Sequence, residues 1–121
     1  MPVSVVTDTT GYLPREHLDR YGITAVPLYV VFADRTVKET EITDYPAFFE
    51  ELRRADSVPK TSQPSVGDFV EAFQPLLARG DEIASIHISG GISGTVDSAR
   101  QAAEQLERDG RGGERVRIVD S

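Results

Sequence analysis

The residues able to do chemistry gather in one stretch, 85–98, which reads Ser-Ile-His-Ile-Ser-Gly-Gly-Ile-Ser-Gly-Thr-Val-Asp-Ser. Ile83, Ile86 and Ile88 make a short β-branched strand, and the chain then breaks at Ser89-Gly90-Gly91. It restarts with Val96, Ala99, Ala102, Ala103 and Leu106 at helical spacing. Glycine backbones and serine hydroxyls between the two elements can crowd donors toward one point. The N-terminus of a helix adds unpaired N–H groups and a partial positive charge there. That combination suits an anion, whether phosphate or carboxylate. The same residues also fit a plain tight turn with Ser93 as an N-cap, and both readings stand at this point.

Other chemistries fit less well. A serine nucleophile needs a base, and the nearest histidine in sequence is His87, on the strand before the turn. Gly91-Ile92-Ser93-Gly94-Thr95 lacks the glycine spacing of a nucleophile elbow, and His87 reads as a strand histidine contacting its neighbours. His17 lies on the solvent side of an amphipathic segment, and two histidines so far apart make no metal-ligand pattern. There is no cysteine, which removes thiolate catalysis and cysteine-held metals. Neither the Walker lysine nor the dinucleotide glycine pattern is present. No cofactor and no metal are expected. Hydroxyls, glycine amides and a helix N-terminus remain, a set that holds a carboxylate while the rest of a ligand lies on apolar surface. Phe69, Phe73 and Ile92 are candidates to touch that ligand, although Phe69 and Phe73 read first as core. Two alternatives stay open: a phosphoryl-transfer or ester-hydrolysing enzyme centred on Ser93 or Ser89, and an inactive structural fragment.

Composition narrows the classes further. Twenty acidic against 13 basic residues give a net charge of −7, with no basic stripe to neutralise nucleic-acid phosphates. The longest apolar run, 25–33, contains Pro27 and falls well short of the ~18 residues that span a bilayer. The N-terminus enters a strand without a basic region and an apolar segment, so no signal peptide is expected. The expectation is a cytoplasmic domain. At 121 residues the chain can bury one core, so 1–121 is read as a single domain. It stops at Asp120-Ser121 directly after a strand, which predicts a piece of a longer chain.

The elements that must position these residues follow from periodicity. Residues 3–6 form a β-branched strand that ends in a hydroxyl-rich turn, 7–11. Pro14 suits the first position of a helix with Leu18 and Tyr21 inward, stopped by Gly22. Residues 24–32 are the second strand, 33–35 a turn, and 36–41 a returning hairpin strand at an exposed edge. Thr43 or Asp44 caps a helix with Tyr45, Phe48, Phe49 and Leu52 as its apolar face. Residues 56–65 lack periodicity and contain Pro59 and Pro64, which favour an extended path. Val66, Phe69, Val70, Phe73, Leu76 and Leu77 mark the next helix, in which Pro75 predicts a kink and which Gly80 ends. Residues 82–88 are the third core strand, a helix then runs to about Asp109, 111–113 is a loop, and 116–119 is a final strand.

Strands alternating with helices predict an α/β domain, a three-layer α/β/α arrangement with a mainly parallel sheet and a peripheral hairpin strand. Ligands of such sheets bind beyond the carboxyl ends of the strands. The turns 8–10 and 89–93 fall at such ends, and 61–65, which precedes a helix, can reach the same edge. Three polar turns on one edge is more than capping requires.

Five motifs in order resemble the DegV family. Val5-Val6-Thr7-Asp8-Thr9-Thr10 with Leu13-Pro14 is similar to its opening strand and turn. Tyr21-Gly22-Ile23 with Val26-Pro27-Leu28 is similar to its second strand. Pro59-Lys60-Thr61-Ser62-Gln63-Pro64-Ser65 with Gly67-Asp68-Phe69 resembles its most specific loop. Ile86-His87-Ile88-Ser89, Ser93-Gly94-Thr95 and Ser98-Ala99 resemble its serine–glycine loop, and Val119-Asp120-Ser121 the end of its N-terminal domain. The resemblance implies that the chain is the N-terminal half of a two-domain protein. It further implies binding of a long-chain fatty acid and presentation of its carboxylate to a separate fatty acid kinase catalytic subunit, with no turnover by this protein. Carried over by motif, the head-group contacts are Thr61, Ser62 and Ser93, with the amide of Gly94 as an extra donor. The resemblance also implies an apolar face shaped for a second domain, a surface open to self-association where that domain is missing.

Overall fold

A computed structural model describes residues 2–55 and 59–121. Its main sheet is parallel and has the order β2-β1-β6-β7, formed by β1 (Val3–Asp8), β2 (Thr24–Val26), β6 (Glu82–His87) and β7 (Val116–Asp120). Register puts Ser4 beside Ile83 and Val6 beside Ser85, and alternation sends these side chains to one face together with Asp8 and His87. Helices α3 (Val66–Ala78) and α4 (Thr95–Arg108) cover that face. Val6, Val26, Ile83 and Val116 of the sheet meet Phe69, Phe73, Leu77, Ala99, Ala102 and Leu106 of the helices in a single buried cluster. The three- and four-residue spacing anticipated for these helices is what aligns those side chains.

The end of α4 is closed by a short 3-10 helix, Gly113–Arg115. A Cβ at Gly113 would lie 2.0 Å from the Ala103 carbonyl oxygen and 2.4 Å from the Glu107 nitrogen, so only glycine lets this turn approach α4. Arg115 then donates to the Leu77 and Asp81 carbonyls at 2.9 and 3.2 Å, tying the end of α3 to the start of β6.

The expected strand over 24–32 is divided. Pro27 has no N–H for the ladder, and the chain leaves the parallel sheet there. Leu28 is held instead by its N–H to the Thr9 hydroxyl, 3.0 Å, and by the Glu39 N–H to its carbonyl, 2.9 Å. β3 (Tyr29–Val31) then joins a second, antiparallel sheet of order β4-β3-β5 with β4 (Thr36–Lys38) and β5 (Lys60–Ser62). The returning strand therefore ends at Lys38, where Glu39–Glu41 winds into a 3-10 turn. Residues 60–62, read from sequence as loop, pair with β3. The first part of that segment, 56–58, lies outside the described residues.

Helix α1 (Arg15–Tyr21) starts one residue after Pro14, and Asp44 caps α2 (Tyr45–Arg54) by accepting from the Ala47 N–H at 3.1 Å. Neither helix buries a residue. Tyr21, expected to face inward, is exposed and stacks on His17 at 6.5 Å, while Leu18 is half-buried. Phe48 meets Phe32, the residue directly after β3, edge-on at 6.3 Å. Val3, Ile86 and Val119, on the face of the main sheet away from α3 and α4, are exposed. The fold is the mainly parallel α/β architecture expected, with the hairpin enlarged to a three-stranded sheet. Among the described residues, no helix is long and apolar enough to cross a membrane.

Candidate functional site

The carboxyl end of β1 delivers Asp8 to the sheet edge, buried at 3 % exposure. Its Oδ1 accepts from the Thr10 N–H at 2.9 Å and from the Thr10 hydroxyl. Its Oδ2 meets His87 Nδ1 at 3.0 Å and accepts from the Ile88 N–H at 3.3 Å. Burial pushes the carboxyl upward, but donation from His87, Thr10 and Ile88 outweighs this and holds it below its ordinary value. Asp8 is therefore ionised at neutral pH, and His87 Nδ1 carries the hydrogen that faces it. His87 Nε2 pairs with the Ser85 hydroxyl, and Phe69 stands edge-on to the ring at 5.0 Å.

Serine, histidine and aspartate in a row have the composition of a hydrolytic triad. Ser85 and His87, however, are 0 % and 2 % exposed, and a nucleophile must meet its substrate. Both ring nitrogens of His87 are taken by Asp8 and Ser85, and neither serves Ser93 or Ser89. The sequence signal for this network was its phase. Ser85 and His87 alternate in step with Ile83, and Asp8 in step with Val6, so all are inward positions.

Directly after His87 the chain turns. The Ile92 and Ser93 N–H groups donate to the Ser89 carbonyl at 3.0 and 3.1 Å, the Gly91 N–H to the Ser89 hydroxyl at 3.2 Å, and the Gly90 N–H to Asp120 Oδ1 at 2.8 Å. Ser93 Oγ accepts from the Thr95 N–H at 3.2 Å and lies 2.8 Å from the Thr95 hydroxyl. Ser93 thus does serve the first turn of α4, with Gly94 as the residue before that helix, and it stays half-buried at the surface. Ile92 is 77 % exposed beside it. Phe69 and Phe73 are core residues without exposure.

Thr61 and Ser62 lie on β5 opposite Val30 and Tyr29, with exposed side chains. Gln63, which sequence reasoning did not single out, joins them to the turn. Its Nε2 donates to Ser98 Oγ at 3.1 Å, and a Cβ at Gly94 would meet Gln63 Oε1 at 2.1 Å, so the amide rests directly on the Gly94 backbone. The other end of the segment is fixed by a capping box, in which Ser65 and Asp68 exchange bonds of 3.0 Å. Tyr29 also donates to Asp68 at 2.9 Å, which ties β3 to the same cap and raises the Tyr29 hydroxyl above its ordinary value. The structure therefore brings Thr61 and Ser62 to the same side of the domain as Ser93 and Gly94.

A cavity of about 670 Å³ opens at this sheet edge. Thr7, Asp8 and Ala25 of the sheet bound it, with Leu13, Leu18, Ile42 and Tyr45 opposite. Its rim is strapped by Glu39, which accepts from the Thr9 and Tyr12 hydroxyls at 2.8 Å each. Donation to Glu39, with burial and the nearby charge, pushes the Tyr12 hydroxyl up to about 12. Thr61, Ser62, Ser93 and Gly94 lie outside this lining, and Asp8 is the residue shared between the cavity and the turn after β6. Among the described residues, no group of three His, Asp or Glu side chains is gathered to hold a metal ion.

Comparison with known proteins agrees with the fold. The DegV family profile matches residues 2–121. A DegV domain-containing protein of Deinococcus radiodurans is 40 % identical over the whole chain, which spans 41 % of that relative. A DegV family protein from Thermus thermophilus, solved for its fatty acid binding, superposes with a TM-score of 0.83 at 38 % identity, covering 99 % of this chain and 41 % of the other. DegV of Bacillus subtilis, a fatty acid binding protein, superposes with a TM-score of 0.84 at 35 % identity, covering 100 % and 40 %. The chain thus spans about two fifths of the relatives it matches. With the profile covering all but the first residue and the fold following, the chain belongs to the DegV family.

Proposed function

We propose that this chain binds a long-chain fatty acid and presents its carboxylate to a second protein without transforming it. The observation that carries this reading is the Gln63 bridge, which lays the Thr61 segment against the Gly94 turn. Thr61, Ser62 and Ser93 would then offer hydroxyl donors, and the Gly94 amide one more, to a carboxylate at the start of α4. The cavity is within the ~300–1,000 Å³ range of small-molecule sites, and its apolar wall of Leu13, Leu18, Ala25, Ile42 and Tyr45 supports a place for the tail. The Thermus thermophilus and Bacillus subtilis relatives, both fatty acid binders, support the same ligand.

Exposure supports presentation. Thr61 and Ser62 are exposed, so a carboxylate held there stays within reach of a partner, proposed as a separate fatty acid kinase catalytic subunit. Such a partner consumes ATP, and the proposed site of action is the cytoplasm.

Replacing Thr61 and Ser93 together by Ala in the full-length protein tests the assignment. Each hydrogen bond to a charged group is worth about 1.5–3 kcal/mol, so the double variant should bind palmitate about a hundredfold more weakly or worse by calorimetry. Unchanged affinity would overturn the assignment of the head-group site.

A further inference from the structure

We propose that Asp8 and His87 are positioning residues for the carboxylate site, an inference that rests on the fatty-acid reading above. In this arrangement His87 orients the Asp8 carboxylate, and Asp8 fixes the point at which the Ser89 turn leaves the sheet. Asp8 Oδ2 takes the Ile88 N–H, the backbone donor immediately before Ser89. Asp8 Oδ1 takes the N–H and hydroxyl of Thr10, in the turn that follows β1. One carboxylate therefore bonds the turn after β1 and the residue that leads into the turn after β6.

A carboxylate rotates about a broad, soft torsion, so the donors around it set its plane. His87 Nδ1 is the third anchor, at 3.0 Å, and the Ser85 hydroxyl fixes the far side of the ring. With Asp8 ionised, Nδ1 donates to it, and Nε2 shares a hydrogen with the Ser85 hydroxyl. These side chains are buried, so water cannot replace a lost donor. Both ring nitrogens of the buried His87 are bonded, so removing either partner leaves a polar atom unmet where water cannot reach it. The order of action runs from His87 through Asp8 and Ile88 to the Ser89 turn, and from there to Ser93 by the Ser93 N–H bond to the Ser89 carbonyl.

Two amides separate positioning from packing. Asn in His87→Asn keeps an N–H near the Nδ1 position and so can still donate to Asp8. Gln in His87→Gln reaches the Nε2 position toward Ser85 and loses the donor to Asp8. Palmitate affinity and amide hydrogen exchange over 88–93 are measured on the full-length protein, with a thermal midpoint for each variant. The expected result is that H87N binds within about threefold of wild type, whereas H87Q weakens by about tenfold or more. The 88–93 amides should exchange faster in H87Q and stay protected in H87N. Equal effects of the two variants on exchange, or affinities that simply follow the thermal midpoints, would overturn the proposal. A wild-type protein that binds no palmitate would overturn the fatty-acid reading, and the exchange pattern alone would then decide the positioning role.

Discussion

Asp8 gathers donors from its own turn and from residues about 80 positions later, His87 and Ile88. Those donors hold its carboxyl below the ordinary value, so the ionised form is the one the fold favours. The sign follows directly: this contribution is complete above about pH 4 and is lost as pH falls through the lower folded value. Asp8→Asn cannot titrate, and it sets an N–H against groups that themselves donate. Thermal melts should show D8N well below wild type at pH 7, with the gap narrowing below about pH 4; a gap that stays constant would contradict the account. Gly94 carries a second residue-scale prediction. Ala at Gly94 displaces the Gln63 amide and breaks its bond to Ser98, so palmitate affinity should fall while stability changes little, by calorimetry and melting of the same variant. Gln63→Ala should reproduce the effect. At this scale the hydroxyls Thr61 and Ser93 were legible as members of motifs. The Asp8–His87 pair was not, because it depends on the register between β1 and β6, which no local pattern encodes.

Among the elements, α3 and α4 were legible because their apolar positions repeat at helical spacing and face one sheet. The strand over 24–32 was over-read: an unbroken apolar run hides the missing N–H of Pro27, and the segment serves two sheets. β5 was missed because its side chains are exposed and polar, and only backbone pairing with β3 makes it a strand. Helices α1 and α2 show an amphipathic pattern yet bury nothing. The cavity explains this, since Leu18 of one and Tyr45 of the other lie on its wall. The junction of α4 with the following turn gives the prediction at this scale. Gly113→Ala places a methyl against the Ala103 carbonyl and the Glu107 nitrogen, where backbone cannot yield cheaply. A loss of about 1–3 kcal/mol is expected in chemical denaturation, the range for overpacking. Wild-type stability in G113A would mean that the turn is not seated on α4 as described.

On the scale of the molecule, the main sheet divides the labour between its faces. One face is closed by α3 and α4 and contains the core, with the Asp8–His87–Ser85 network at its carboxyl edge. The other carries exposed Val3, Ile86 and Val119 and opens, between β1, β2, α1 and α2, into the cavity. On this acidic domain of net charge −7, the proposed ligand is a small apolar acid read through neutral hydroxyls. Native mass spectrometry of the full-length protein, under gentle and then denaturing ionisation, tests that central claim most directly. A mass excess equal to a long-chain fatty acid, present in the gentle spectrum and lost on denaturation, is the predicted result. A ligand-free mass that persists after incubation with palmitate would contradict it.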